Sequence, residues 1–329
     1  MTTEVLICDD SSFARKQLAR SLPAEWDVNI NYAVDGADAI FHLQSGKGEV
    51  LFLDLNMPVM DGYEVLESIK ANNFETVVIV VSGDIQAEAT KRVKELGAIA
   101  FLKKPTNVEN ISEVLEKFGL CSVSSNKTKD SDIEVTELDM IGEVANVAMG
   151  RAAELLAMLL GHFIKMPIPN VNMLEVGELR MALGQVDNDV KLSAVCQGFI
   201  GSGIAGEALL IFNDSSYVDI AELMKYDEQV DEAAQIEMLM DISNIMIGAC
   251  LKGIADQLDL TFSQGNPIVL GQHINIDSLL QKNTMTWKKI LTIEMGFAIE
   301  GCNVNADLLL LFTEESLQSL KQIAEYLEA

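Results

Sequence analysis

Along residues 1–119, short apolar runs alternate with segments in which apolar residues return every three or four positions. The runs Glu4–Cys8, Asn29–Ala33, Val50–Leu53, Val77–Val81 and Ala98–Leu102 have the length of strands. The segments Phe13–Leu22, Ala37–Leu43, Gly62–Ala71, Gln86–Leu96 and Val108–Phe118 have the period of helices. Five strand–helix units in series predict an α/β fold, a (βα)5 doubly wound parallel sheet, because parallel neighbours need a crossover helix between them. Gly119–Asp132 is polar and serine-rich and reads as a flexible joint. The expected division is a first domain at 1–119, a linker at 120–132 and a second domain at 133–329.

The second half repeats itself. Glu143-x-x-Asn146 followed by Pro169 returns as Asp241-x-x-Asn244 followed by Pro267 at the same spacing, and Leu210-Ile211-Phe212 returns as Leu310-Leu311-Phe312. The order in each copy, about 133–226 and 231–329, is long helix, proline-bearing connection, strand hairpin, short helix. That predicts an α+β domain with a pseudo-twofold axis and a shared sheet. On the first long helix Asp139, Glu143, Asn146 and Gly150 fall within about 60° of one another, as do Glu237, Asp241, Asn244 and Gly248 on the second. Ile141, Val144, Ala148, Leu155 and Leu159 take the far side, so each helix is expected to show a solvated polar stripe. Asparagine and glycine both weaken a helix, and their return on the same line marks a surface that something approaches closely.

Gly201-Ser202-Gly203-Ile204-Ala205-Gly206 has the form of a dinucleotide-binding fingerprint, but β-type runs flank it on both sides, which predicts a hairpin turn. The net charge of −27 repels phosphate backbones and argues against nucleic acid as a partner. Acidic residues outnumber basic ones by 19 to 11 in residues 1–120 and by 31 to 12 beyond. Five scattered cysteines without a Cys-x-x-Cys pair point to reduced thiols and a cytoplasmic location. No signal peptide and no membrane span are expected; the most apolar helical stretch, Ala152–Ile164, is too short for a bilayer and carries Glu154.

The chemistry of the first half lies just past the strand ends: Asp9-Asp10, Asp54, Ser82 and Lys104-Pro105. Acids converging on one sheet edge repel unless a hard divalent cation joins them, and Mg²⁺ takes oxygen ligands. A hydroxyl from Ser82 and the ammonium of Lys104 then suit the remaining oxygens of a phosphoryl group on Asp54. These residues, with Asp54-x-x-Met57-Pro58-x-Met60-Asp61-Gly62 and Phe101-x-Lys103-Lys104-Pro105, closely resemble the CheY-like response-regulator receiver domains. The resemblance implies phosphotransfer from a histidine kinase to Asp54 and Mg²⁺ held by Asp9, Asp10, Asp54 and the backbone carbonyl of Asn56. It also implies that Ser82 and Phe101 form a switch pair reporting phosphorylation.

On the repeated helix, an asparagine amide can orient one water and a nearby carboxylate can pair with an incoming lysine, which suits in-line hydrolysis of a phosphoryl group supplied by another protein. Residues 133–329 resemble the CheC/CheX/FliY family of chemotaxis phosphatases, through Asp139, Glu143, Asn146 and Pro169 and again through Glu237, Asn244 and Pro267, with Asp241 standing where the family has Glu. The resemblance implies an enzyme, a protein aspartyl-phosphate phosphatase acting on phosphorylated CheY-like receivers. Its catalytic residues are Glu143, Asn146, Asp241 and Asn244, with the shorter Asp241 reaching its lysine less well. Gating by phosphorylation of Asp54 is expected. The main alternative is a non-enzymatic adaptor whose docking to a partner such as a CheD-like protein is controlled by phosphorylation; self-directed hydrolysis at Asp54 and a homodimer are left open.

Overall fold

The computed structural model describes residues 2–121, 135–175, 192–213, 216–223, 231–274, 289–320 and 322. Nearly all of the expected linker lies outside the described residues. The chain divides into two compact units, Met1–Glu143 and Val144–Ala329.

In the first unit, β1 (Thr3–Cys8), α1 (Ser12–Ser21), β2 (Val28–Ala33), α2 (Gly36–Gln44), β3 (Val50–Leu53), α3 (Gly62–Asn72), β4 (Val77–Ser82), α4 (Ala87–Glu95), β5 (Ala100–Lys103) and α5 (Val108–Lys117) alternate in order. The sheet order is β2-β1-β3-β4-β5 and all pairings are parallel. Alternation along the strands fills both faces. Leu6, Cys8, Leu51 and Leu53 join one buried cluster, whereas Val5, Ile7, Val50 and Phe52 join the other. Local chemistry starts the helices: Ser11 accepts a hydrogen bond from the Ala14 amide, and Asp61 and Glu64 form a capping box on α3. The unit also contains the first two turns of α6 (Glu137–Leu160), which starts where the Thr136 hydroxyl accepts from the Asp139 amide at 3.1 Å.

The second unit has β6 (Ile164–Lys165), β7 (Asn170–Glu175), β8 (Leu192–Gly201), β9 (Ile204–Asn213), α7 (Tyr217–Leu223), α8 (Glu232–Leu258), β10 (Ser263–Gln264), β11 (Ile268–Ile274), β12 (Lys289–Ile299) and β13 (Asn305–Phe312). One antiparallel sheet holds them in the order β10-β8-β9-β13-β12-β6, with β11 on β8 and β7 on β12. The order reads alike from either end, as a duplication requires. It also shows an exchange the repeat did not announce: β7 of the first copy pairs with β12 of the second, and β11 of the second with β8 of the first. The glycine-rich segment is a hairpin, with Gly201 opposite Ile204 and the turn residues Ser202 and Gly203 at φ 52° and 79°.

Within this unit α6 and α8 touch closely. A Cβ on Gly253 would lie 2.8 Å from the Ala148 Cα, and the Gln257 amide donates to the Val144 and Gly253 carbonyls at 2.9 and 3.0 Å. The expectation about membrane-length helices needs correcting. The 27-residue α8 is long and apolar enough to cross a bilayer, yet 67% of its apolar window is buried inside the fold, which marks a core helix.

Candidate functional site

Three strand ends of the first unit build one acidic cluster. Asp9 and Asp10 follow β1, Asp54 follows β3, and Lys104 follows β5. Of these, β1 and β3 flank the point where the sheet order reverses, the usual place for ligands in an open parallel sheet, and β5 is the strand at the sheet's edge. The Asp54 backbone reaches this edge because Gly62 lacks a side chain. A Cβ there would lie 2.2 Å from the Asp54 carbonyl oxygen, and the Gly62 amide donates to the Leu55 carbonyl at 3.0 Å.

Lys104 Nζ is the cation at the centre, 2.7 Å from Asp9 Oδ2, 3.3 Å from Asp54 Oδ1 and 3.1 Å from Glu143 Oε1. Asp9, Asp54, Lys104 and Glu143 are all buried. The Asn56 amide donates to Asp54 Oδ2 at 3.1 Å and the Ser11 amide to Asp9 Oδ1 at 2.9 Å. Burial pushes Asp54 up to about 7, with Lys104 opposing and Asp9 and Asp10 adding to the rise. Burial likewise raises Asp10 to about 7, helped by Asp9, and Glu143 to about 7 against the pull of Lys104. For Lys104 burial acts downward, but Asp54, Asp9 and Glu143 together outweigh it and hold the ammonium well above the ordinary lysine range.

Carboxylate oxygens of Asp9, Asp10 and Asp54 all lie within 4.8 Å of one another. Three hard oxygen donors at such separations fit a divalent cation such as Mg²⁺, and carboxyls raised chiefly by burial, as Asp10 and Asp54 are, are those a cation would ionise. Ser82, the last residue of β4, is fully buried, and its hydroxyl accepts from the Asp84 amide at 3.2 Å. Phe101 is half-buried against the cluster that includes Leu53 and Val80. One contributor escaped the sequence reading: Arg15 Nη1 donates to the backbone carbonyls of Asp9 and Asp10 at 2.6 and 3.1 Å and pins the loop. Its position one turn into the helix after the acid pair was the available signal.

The expectation of a solvated stripe on α6 fails. Glu143 and Asn146 are each only 6% exposed, while Leu155 and Leu159, placed on the far side, are 45% and 48% exposed. Buried instead are Met140, Val144, Ala145, Val147, Ala148, Met149, Ala152 and Leu156, which surround the helix over its middle turns. Glu143 is covered because it joins the Lys104 cluster of its own unit, and the Asn146 Oδ1 is buried without a hydrogen-bond partner. On α8 the stripe is solvated as expected, with Glu237, Asp241 and Asn244 exposed.

Residues 5–116 match the family model described as the response regulator receiver domain. A protein-glutamate methylesterase/protein-glutamine glutaminase of Rhodospirillum rubrum is 38% identical over 122 residues, 35% of this chain and 33% of that relative. The chain spans about a third of the length of the curated relatives it matches. Among solved structures, FliY of Thermotoga maritima covers 60% of this chain and 99% of its own, with 21% identity and a TM-score of 0.45. A chain of the CheX-CheY-BeF3-Mg+2 complex of Borrelia burgdorferi covers 36% of this chain and 90% of its own, with 28% identity and a TM-score of 0.34. The parallel five-stranded sheet, the acids at its edge and the family match agree, and residues 5–116 are a response regulator receiver domain.

Proposed function

We propose that this response regulator accepts a phosphoryl group on Asp54 from a histidine kinase, and that the repeated helices of its second half hydrolyse the aspartyl phosphate of CheY-like receivers. The observation that carries this reading is the Glu143–Lys104 contact. The carboxylate of an α6 residue sits 3.1 Å from the lysine ammonium beside the acceptor aspartate, as hydrolysis by an inserted helix needs. We take the domains as 1–119 and 133–329 with a linker between, so that α6 comes from the hydrolytic domain.

In this scheme Asp9, Asp10, Asp54 and the Asn56 carbonyl would hold Mg²⁺, which when bound would offset the charge of the phosphoryl oxygens. Lys104 and the Ser82 hydroxyl bind those oxygens, and Phe101 responds with Ser82 when the phosphoryl group arrives. Glu143 holds the lysine and so sets the approach of α6. Asn146, one turn further along the same line, orients a water molecule. The water oxygen bonds to phosphorus as the bond from phosphorus to the carboxyl oxygen of the phosphorylated receiver aspartate breaks; the aspartate leaves as a carboxylate, and the water's proton goes to the released phosphate. Positioning is the main catalytic resource here.

The reading leaves two substrates open: Asp54 of the same chain, beside whose lysine Glu143 lies, and a receiver on another chain, for which the exposed Asp241 and Asn244 speak. The test follows phosphate release from the chain loaded at Asp54 and from an added phosphorylated CheY-like receiver. Wild type accelerates the decay and Asn146→Ala with Asn244→Ala slows it about 10²-fold; equal decay for the two proteins would sink the proposal. Loading Asp54 with beryllofluoride should change the rate on the added receiver if phosphorylation gates the enzyme.

A further inference from the structure

The first unit holds a second contact of α6 that hydrolysis itself does not use. One turn before Glu143 on the same line of the helix, Asp139 sets its carboxylate on the N-terminus of α1. Its Oδ1 accepts from the Ser12 amide at 3.2 Å, its Oδ2 accepts from the Phe13 amide at 2.8 Å, and the Ser12 hydroxyl also donates to it. The first amides of a helix lack partners within it and carry the positive end of its dipole, so a carboxylate is favoured there. Ser11 caps α1 through the Ala14 amide and leaves the amides of Ser12 and Phe13 open. Those two are the ones Asp139 takes.

We propose that Asp139 is a positioning residue that sets the register of α6 on the receiver, resting on the phosphatase reading above. α1 starts two residues after Asp10, so its open amides stand in fixed relation to the acid cluster and to Lys104. An Asp and a Glu four residues apart on α6 then read two points together, the start of α1 and the lysine. The first point is backbone and the second is a residue of the phosphoryl site, so the pair recognises a receiver by its fold rather than by its variable surface. In the second copy the lengths are exchanged. Glu237, one methylene longer, holds the Asp139 place, Asp241, one methylene shorter, holds the Glu143 place, and both are exposed. That face offers the same two-point grip to a receiver on another chain.

Asp139 is also in the first turn of α6, where an acid stabilises its own helix. Ser12→Pro separates the two roles. Proline is favoured at the first position of a helix, Ser11 already has the extended backbone that a following proline requires (ψ 120°), and the change removes the Ser12 amide and hydroxyl without touching α6. The experiment loads Asp54 of the full chain from a small-molecule phosphodonor and follows first-order decay at several protein concentrations. Asp139→Ala, which loses all three bonds, is expected to slow the concentration-independent decay about tenfold; Ser12→Pro, which keeps the Phe13 bond, and Asp139→Asn are each expected to slow it less, and the double variant no more than Asp139→Ala alone, since the bonds Ser12→Pro removes are among those already lost. A Ser12→Pro protein that decays at the wild-type rate while Asp139→Ala is slow would overturn the proposal, because Asp139 would then serve only its own helix. Both decaying at the wild-type rate while Asn146→Ala is slow would overturn it and leave the phosphatase reading standing. If Asn146→Ala were also unchanged, the phosphatase reading would fall first and take this inference with it.

Discussion

The two long helices α6 and α8 carry the same polar line at the same spacing and live in opposite surroundings. On α6 the glutamate and asparagine are buried and the glutamate is locked to a lysine; on α8 the aspartate and asparagine stand in solvent. The repeat therefore determines which face of the helix is polar, and the neighbourhood decides what that face can meet. A buried carboxylate gains its partner at the cost of desolvation, so it is committed to one position. An exposed one pays little and holds nothing, and is free to find a partner.

The sharpest way to break this contrast is through its cations. Lys104→Met removes the ammonium shared by Asp9, Asp54 and Glu143 and leaves buried carboxylates unpaired; it is expected to cost about 3–5 kcal/mol in Mg²⁺-free urea unfolding. Lys252→Met on α8, which breaks an exposed pair with Asp256 at 3.3 Å, is expected to cost less than about 0.5 kcal/mol. Similar losses from the two would mean that the α6 cluster is not a buried network.

The asparagines give the next largest difference. Asn146→Asp places a charge where the side chain is buried, with an expected loss of about 1–3 kcal/mol, while Asn244→Asp should stay within about 0.5 kcal/mol.

Much of the receiver was legible because its chemistry is local. Each acid follows an apolar run, so counting along the chain places Asp9, Asp54 and Lys104 at strand ends without knowing the fold, and the observed element ends differ from expectation by only one or two residues. The surroundings of α6 were not legible. Apolar residues encircle its middle turns, so periodicity alone cannot choose a face, and Leu155 and Leu159 lie exposed rather than in the core. Glu143 and Asp139 are buried or engaged through Lys104 and Ser12, far away in sequence, and no local pattern announces such a pairing. The strand exchange was hidden for the same reason, since the partners of β7 and β11 lie in the other copy.

Titration sharpens the contrast from another side. Asp54, Asp10 and Glu143 bind protons more tightly folded than unfolded, because burial raises them to about 7 from ordinary values of 3.8 or 4.5. The stability they confer is complete below the unfolded values and is lost as pH rises towards 7. Without Mg²⁺ the first unit is therefore expected to weaken between about pH 4 and 7, and Mg²⁺ should flatten the profile by favouring ionised carboxylates. Denaturant midpoints at several pH values with and without the ion check this; a profile that Mg²⁺ leaves unchanged would count against the cation site.

The smallest effect lies at the helix ends. α6 is followed by Gly161 at φ 70°, the conformation glycine adopts without strain, but α8 ends on Asp259 at φ 52°, where a side chain and a negative charge both work against the helix. Asp259→Gly is expected to gain about 0.5–1 kcal/mol and Gly161→Ala to lose about as much, read from thermal midpoints.

The crossed pairing of β7 and β11 has a consequence for how such a sheet can arise and be dismantled. Each copy lends the other a strand, so neither is a self-sufficient folding unit, and a chain cut between the copies should yield fragments that are unstable apart and recover by association. The same geometry is what two identical half-length chains would form by trading strands about a twofold axis. The duplicated half thus has the architecture of a strand-exchanged pair of copies joined into one polypeptide, in which two helices of equal pattern share one sheet and meet different surroundings.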